Sequence, residues 1–285
     1  MNFGMIGAGV VGTALAACLT EAGYECAGVH TRTGSSYQRF RQYVNAPGLS
    51  LRDLVPRVDL LFVTTQDDNI QTVAEELWRE GLFRAGQTWL HCSGALPAAV
   101  LGPQGVPVHR LSIHPLQSFA GVRAALQLLG GAHFAVEGDN PELGEKIVSD
   151  LGGIAHRLKS EDKVLYHAGA VMASNYLVAL ASQAVELFNL AGINSPEALS
   201  ALLPLMTGTL KNLEVFGLPA ALTGPLVRGD IEVVSRHLSR MPGPIAEVYK
   251  VLGLRALETA QQKWLAAGSV YPSETERGLK VLLKG

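Results

Sequence analysis

From its first residues, the chain alternates short, unbroken apolar runs with segments whose apolar positions recur every three or four residues. An unbroken run of four to six suits a strand buried on both faces, and the helical spacing between runs suits a crossover helix. Phe3 to Ile6 reads as a first strand, Thr13 to Ala22 as a helix that Gly23 can close in the left-handed conformation, and Tyr24 to Val29 as a second strand. Asp59 to Thr64 is another buried-type run. Ile70, Val73, Ala74, Leu77 and Trp78 then lay an apolar stripe along a helix from Ile70 to Arg79, and Thr88 to His91 is a further short strand. Phe134 to Val136 keeps the strand texture, and Asn140-Pro141-Glu142 sets a capping side chain before a proline suited to the first helical position. This alternation predicts an α/β architecture, a Rossmann-type doubly wound parallel sheet covered by helices.

No strand pattern follows Ser160. Ser160 to about Leu190 reads as one long helix, Ser195-Pro196-Glu197 opens another, and Ile245, Val248, Leu252, Ala256, Ala260 and Trp264 stripe a third from Ile245 to Leu265. With 285 residues, about twice a usual domain, the expectation is a dinucleotide-binding domain over 1–157 and an all-α domain over 158–285. No repeat or low-complexity linker separates them, so direct packing of the two is expected. The apolar stretch from Ala168 to Ala181 is interrupted by Ser174, Asn175 and Tyr176 and is short for a bilayer, so it reads as a buried helix.

Composition narrows the partners. A net charge of −2 gives no basic surface to track a phosphate backbone, so nucleic acid is not expected as a partner. Residues 3 to 19 imitate an export signal ending at Cys18, but Met1-Asn2-Phe3 lacks the positive charge that such signals carry, so no membrane partner is expected. Cys18, Cys26 and Cys92 are odd in number and lack C-x-x-C spacing, which predicts reduced thiols, a cytoplasmic location and no metal site.

Gly7-Ala8-Gly9-Val10-Val11-Gly12 fits G-x-G-x-x-G and has the context that gives the pattern meaning, directly after a strand and at the start of a helix. The first glycine permits the tight turn, the second lets a pyrophosphate approach, and the third lets helix pack on strand, while free amides and the helix dipole face the phosphates. Cofactor choice is read at the end of the second strand, where an NAD site usually places a carboxylate. His30-Thr31-Arg32-Thr33-Gly34-Ser35-Ser36 has none there; Thr31, Arg32, Thr33 and Ser36 instead suit a 2′-phosphate, predicting NADP(H). Two more strand ends should border the cofactor: Thr64, Thr65 and Gln66 in one loop, Ser93 and Gly94 in His91-Cys92-Ser93-Gly94.

These motifs resemble the 6-phosphogluconate-dehydrogenase-like superfamily, and more closely bacterial proteins with a Rossmann-like domain and a C-terminal domain of unknown function. The resemblance rests on the glycine turn, His91-Cys92-Ser93-Gly94, Ser112-Ile113-His114-Pro115-Leu116-Gln117-Ser118-Phe119, Tyr166-His167-Ala168-Gly169-Ala170, Ala173-Ser174-Asn175-Tyr176, and Leu222-Thr223-Gly224-Pro225-Leu226-Val227-Arg228-Gly229-Asp230. Ketopantoate reductases, pyrroline-carboxylate reductases and prephenate dehydrogenases are similar in plan. The resemblance implies NADP-linked hydride transfer to or from a small metabolite and a homodimer formed through the helical domain. Its helix counterpart carries a Lys and an Asn that face substrate; Asn175 matches the Asn, and Lys163 matches the Lys loosely.

On an unbroken helix at about 100° per residue, His167, Val171, Ser174 and Val178 fall within roughly 60° of surface, with Asn175 at the edge. His114, before Pro115, can exchange a proton near neutrality. The catalytic candidates are therefore His114, His167, Ser174, Asn175 and Lys163. Thr223 and Arg228 are candidates for substrate binding, Arg228 either on a substrate carboxylate or in an ion pair with Asp230. The expected activity is reduction or oxidation of a small oxo acid, ketopantoate-like, or of an imine; the alternative is a dinucleotide sensor without turnover.

Overall fold

Leu60-Leu61-Phe62-Val63 is buried at every position, and so is Thr88 to His91, as strands covered on both faces require. The computed structural model describes residues 1–285 and divides into two compact units, Met1–Asn175 and Tyr176–Gly285. In the first unit the order is β1 (Asn2–Ile6), α1 (Val10–Glu21), β2 (Glu25–His30), α2 (Gly34–Arg41), α3 (Leu51–Leu54), β3 (Leu60–Val63), α4 (Asp67–Arg79), β4 (Thr88–His91), β5 (His109–Pro115), α5 (Val122–Leu129), β6 (His133–Gly138), α6 (Pro141–Asp150), β7 (Ile154–Arg157) and α7 (Lys163–Ala173).

The seven strands form one sheet in the order β2-β1-β3-β4-β5-β6-β7, parallel throughout except where β6 runs antiparallel to β5. Alternate residues of β3 feed opposite cores: Leu60 and Phe62 join Phe3, Met5 and Leu15, while Leu61 and Val63 join Leu54, Ile70, Leu77 and Trp89. Residues 3 to 19, the export-like stretch, are folded into this core, with Phe3, Leu15 and Leu19 fully buried. Strand order reverses between β2 and β3 around β1, and that switch point opens a crevice at the carboxyl ends of the strands.

The second unit is helical: α8 (Asn175–Leu190, its first residue in the first unit), α9 (Ser195–Phe216), α10 (Pro225–Arg228), α11 (Ile231–Arg240), α12 (Gly243–Ala266) and α13 (Ser273–Lys284). Asn194 caps α9 by accepting from Glu197 N, with Pro196 in the first turn, and Val234, Leu257, Ala260, Leu279 and Leu283 form the core.

The long segment after Ser160 departs from expectation in two ways. It is interrupted at Ser174, whose φ of −113° and ψ of −68° end α7 before α8 begins. It is also not a buried helix: Val164, Leu165, Met172, Tyr176 and Val178 are exposed, and Lys163 is the buried residue of α7. Ser160–Leu190, 31 residues, is longer than the Ala168–Ala181 stretch and by length and composition is apolar enough to cross a membrane. Apolar residues surround the helix instead of forming one stripe, so the pattern alone cannot say which face is covered. The sheet ends with β7 at Arg157, whereas the compact units divide after Asn175.

Candidate active site

The glycine turn is shaped by what each Cβ would meet. Gly7 has φ +99°, and a Cβ there would lie 2.8 Å from Thr64 O, so turn and crowding both require glycine. A Cβ on Gly12 would lie 2.2 Å from Thr64 Oγ1, which marks the tight passage of α1 over β3, whereas a Cβ on Gly9 would meet nothing within 4 Å. The space beside Gly9 is therefore open, and α1 begins there with no side-chain cap and no acidic residue in its first turn. Uncapped amides with a positive helix end suit a phosphate group. Thr64 fixes the turn by donating its hydroxyl hydrogen to Gly7 O at 3.0 Å.

This turn forms one wall of a cavity of about 640 Å³, within the usual range for a bound small molecule. Ala8, Val10 and Val11 line it, with Thr31, Arg32, Thr33 and Ser36 at one end and Thr64, Thr65, Gln66, Asp67, Cys92 and Ser93 at the other. Thr33 caps α2 by accepting from Ser36 N at 3.3 Å and donates to Ser36 Oγ at 2.9 Å. Arg39, one turn further along α2, also lines the cavity and donates to Ser36 Oγ at 3.1 Å. Neither Arg32 nor Arg39 is in an ion pair, so two guanidinium groups stand over the loop without a protein carboxylate. Arg39 escaped the sequence reading because α2 has few apolar positions and passed for loop.

At the other end, the loop after β4 is held by buried polar groups. His91 is fully buried; its Nδ1 accepts from Ser93 N at 3.1 Å and its Nε2 contacts Pro97 O at 3.1 Å. Burial pushes His91 down to about 4. Ser93 Oγ donates to Asp67 at 2.6 Å and accepts from Ala95 N and Leu96 N, which makes it a loop clamp. Burial also raises the Cys92 thiol to about 12, so this thiol stays protonated.

Above that loop the first turns of α7 meet the end of β5. Lys163, 1% exposed, donates to Ser112 Oγ at 2.6 Å and Ser93 O at 3.2 Å, and burial lowers its pKa. His114 Nδ1 lies 2.9 Å from Tyr166 Oη, with the ring planes at 89°. The His114 and His167 ring centres are 6.2 Å apart, and both rings border Gly94, where a Cβ would lie 2.6 Å from His167 Cδ2 and 2.9 Å from His114 Nε2. Burial, then Lys163 and His167, push His114 down to about 4, and burial raises Tyr166 to about 12.

Of the candidates read from sequence, His114, His167, Lys163, Ser93 and Gly94 thus come together in the first unit. Ser174 is half-buried at the end of α7, and Asn175 is exposed beyond the break, so the single helical face assumed for them with His167 is interrupted. In the second unit Thr223 is exposed, and Arg228 pairs with Asp230, its Nε 2.9 Å from Oδ2. Asp67, His91, Ser112 and Tyr166 lie in loops and motifs that the sequence pointed to, but none was given a role of its own. Tyr166 adjoins His167 in sequence, but its partner lies 52 residues away.

Residues 1–115 match the family described as a Rossmann-like domain, and residues 132–256 match a domain of unknown function, DUF2520. Comparison with curated proteins returns no match. Among solved structures, protein TM1727 from Thermotoga maritima is 28% identical, covers 90% of this chain and 98% of its own, and has a TM-score of 0.70. The Bacteroides fragilis protein BF3122, described as a candidate NADP oxidoreductase, is 24% identical over 90% of this chain and 98% of its own, with a TM-score of 0.71. A reductive aminase from Aspergillus terreus in complex with NADPH and ethyl levulinate is 16% identical over 99% of this chain and 92% of its own, with a TM-score of 0.59. The last two share the fold.

Proposed function

Starting from a chain that joins a Rossmann-like domain to a DUF2520 domain, we propose that it is an NADP(H)-dependent oxidoreductase that moves hydride between the nicotinamide and a small oxo acid or imine. The observation that carries this reading is that one crevice runs from an uncapped glycine turn with two unpaired guanidinium groups to Cys92 and Ser93, while His114 and His167 border the adjoining Gly94 and Lys163 bonds the Ser93 carbonyl. Amides of Gly9, Val10, Val11 and Gly12 would hold the pyrophosphate, Thr31, Arg32, Thr33, Ser36 and Arg39 the 2′-phosphate, and Thr64, Thr65, Gln66, Ser93 and Gly94 the nicotinamide half.

The cofactor supplies the hydride. The protein's part is to orient the acceptor carbon, polarise its oxygen or nitrogen, and provide the one proton that reduction consumes. His114 and His167 stand at the reacting atom. Lys163 braces Ser112 and the Ser93 carbonyl, and Ser174 and Asn175 are kept as substrate candidates although the break at Ser174 takes them off the face of His167. Thr223 and Arg228 are kept as candidates for a substrate carboxylate, and Arg228 would have to leave Asp230 to bind one.

We take residues 1–157 as the dinucleotide domain and 158–285 as the helical domain, in a cytoplasmic homodimer. The exposed apolar residues of α7 to α9, among them Leu165, Met172, Val178, Leu203 and Leu205, favour a second copy as their cover. Glu186 and the break at Ser174 suit that better than lipid. Light scattering should give twice the chain mass.

The test is a titration followed by an assay. Calorimetry should show saturable NADPH binding, tighter than NADH, and NADPH absorbance should fall with some small oxo acid or imine. No heat with either dinucleotide refutes the reading. A second reading, a dinucleotide sensor, is favoured by the two bonds that hold Lys163 inside the protein; binding without turnover across the substrate panel selects it.

A further inference from the structure

His114 can carry its hydrogen on either ring nitrogen, and the two nitrogens meet different surroundings. His114 Nδ1 has one partner, Tyr166 Oη at 2.9 Å, and that contact is also the tyrosine's one hydrogen bond. No buried side-chain nitrogen or oxygen in the chain lacks a partner, yet Nε2 of His114 has none within the protein, so Nε2 is open to solvent. It lies on the Gly94 side of the ring, where glycine leaves room for the approach.

A phenol and a neutral imidazole can pair in two ways, with the phenol donating to a bare nitrogen or accepting from a ring N–H. The phenol O–H is the more acidic of the two donors, and the bare imidazole nitrogen is a better acceptor than a phenol oxygen. We propose that Tyr166 is a positioning residue: its hydroxyl donates to Nδ1 of His114 and so fixes the tautomer that presents Nε2–H toward Gly94 and the reacting centre. Both groups hold their neutral forms near pH 7, since burial raises Tyr166 and lowers His114, and the pair does not become phenolate and imidazolium.

The consequence concerns the substrate atom and rests on the oxidoreductase reading above. A neutral Nε2–H is a hydrogen-bond donor that no longer has a lone pair to act as a base at that nitrogen. It therefore selects a reacting atom with a free lone pair, a carbonyl oxygen or an unprotonated imine nitrogen, and it stabilises the negative charge that builds there as hydride reaches the neighbouring carbon. An iminium carries its own N–H and would face that donor without an acceptor. The arrangement accordingly favours reduction of carbonyl compounds over reduction of preformed iminium ions.

Long-range proton–nitrogen correlation on the full-length protein with 15N-histidine, in the presence of NADPH, reads the tautomer directly, with His114 assigned by its loss in His114→Gln. The expected pattern has hydrogen on Nε2 and a bare Nδ1. In Tyr166→Phe the bare-Nδ1 signal should give way to a mixture of tautomers. Turnover should fall roughly 10- to 100-fold, as is typical when a partner outside the direct contact shell is lost, with little change in KM for NADPH. If Tyr166→Phe does not fold, 3-fluorotyrosine incorporated throughout the chain acidifies the phenol and should shift the His114 Nδ1 signal in the direction of protonation. Hydrogen on Nδ1 in the natural protein, or a His114 spectrum indifferent to both changes of tyrosine, overturns the proposal. The spectrum needs no turnover. A chain with the expected tautomer and no NADPH binding loses the reading of the preceding subsection alone, and a chain that oxidises NADPH with hydrogen on Nδ1 loses this one alone.

Discussion

Acid should destabilise the first unit through two histidines. His91 is satisfied only as a neutral ring, because its Nδ1 accepts from Ser93 N; a proton placed there would face another N–H. Burial holds both His91 and His114 at about 4, against 6.5 for a free side chain. Below pH 6.5 the unfolded chain binds protons that the folded chain excludes, so unfolding becomes easier as pH falls, and the loss levels off once pH passes about 4. Above about pH 7.5 neither ring contributes. At 1.36 kcal/mol per pKa unit, the displacement from 6.5 to about 4 corresponds to about 3 kcal/mol for the fully buried His91. His114 is partly open to solvent and shares Lys163 as a neighbour, so a reduced contribution of about 2 kcal/mol is the fairer figure. Together they are comparable to a large part of the 5–15 kcal/mol that typically holds a domain folded. Urea unfolding followed by the adjacent Trp78 and Trp89 in a Trp264→Phe background should report this unit, and free energies at pH 7.5, 6.0, 5.0 and 4.5 should fall more steeply for the parent chain than with His91→Gln or His114→Gln added. Parallel curves for all three would refute the reasoning.

Other outcomes follow from the same geometry. Arg32→Ala and Arg39→Ala should each weaken NADPH binding by roughly 10- to 100-fold, the scale of a lost charge-assisted bond, and leave NADH binding within threefold; calorimetry with both cofactors checks this. Gly9→Ala should lower NADPH affinity while changing the melting temperature less than Gly7→Ala does, because a Cβ at Gly9 meets no protein atom whereas one at Gly7 meets the Thr64 backbone at a positive φ. Lys163→Met removes a cation that depresses His114, so the His114 ring should titrate at higher pH, as a proton NMR titration would show; an unchanged titration would argue against close coupling of the two.

The glycine turn and the loop proposed to hold the cofactor were legible because their geometry is local. A tight turn, an uncapped helix and a carboxylate-free loop lie within 36 residues, and each is read from the same stretch it occupies. Arg39 was missed for a local reason too: α2 carries little apolar pattern, so nothing signalled that a helix would bring a second guanidinium back over the loop. The reaction end is assembled differently. His114 and Tyr166 meet across 52 residues, Lys163 reaches Ser93 across 70, and no periodicity encodes such pairings. Treating α7 and α8 as one straight helix placed Ser174 and Asn175 on the face of His167; the break at Ser174 undoes that inference, since a wheel drawn at constant rotation fails beyond an interruption. The same apolar richness that suggested a buried helix left Leu165 and Val178 at the surface, because hydrophobicity measures a demand for cover without naming what provides it.

Gly94 offers a way to read this protein's history. Two imidazoles close on the space where one methyl group would stand, so a side chain at this position would force at least one of the His114 and His167 rings to move. Homologues that retain both rings should keep glycine here, and those that have acquired alanine or serine should have given up or displaced at least one ring. Departure from glycine would then mark where the lineage changed its chemistry.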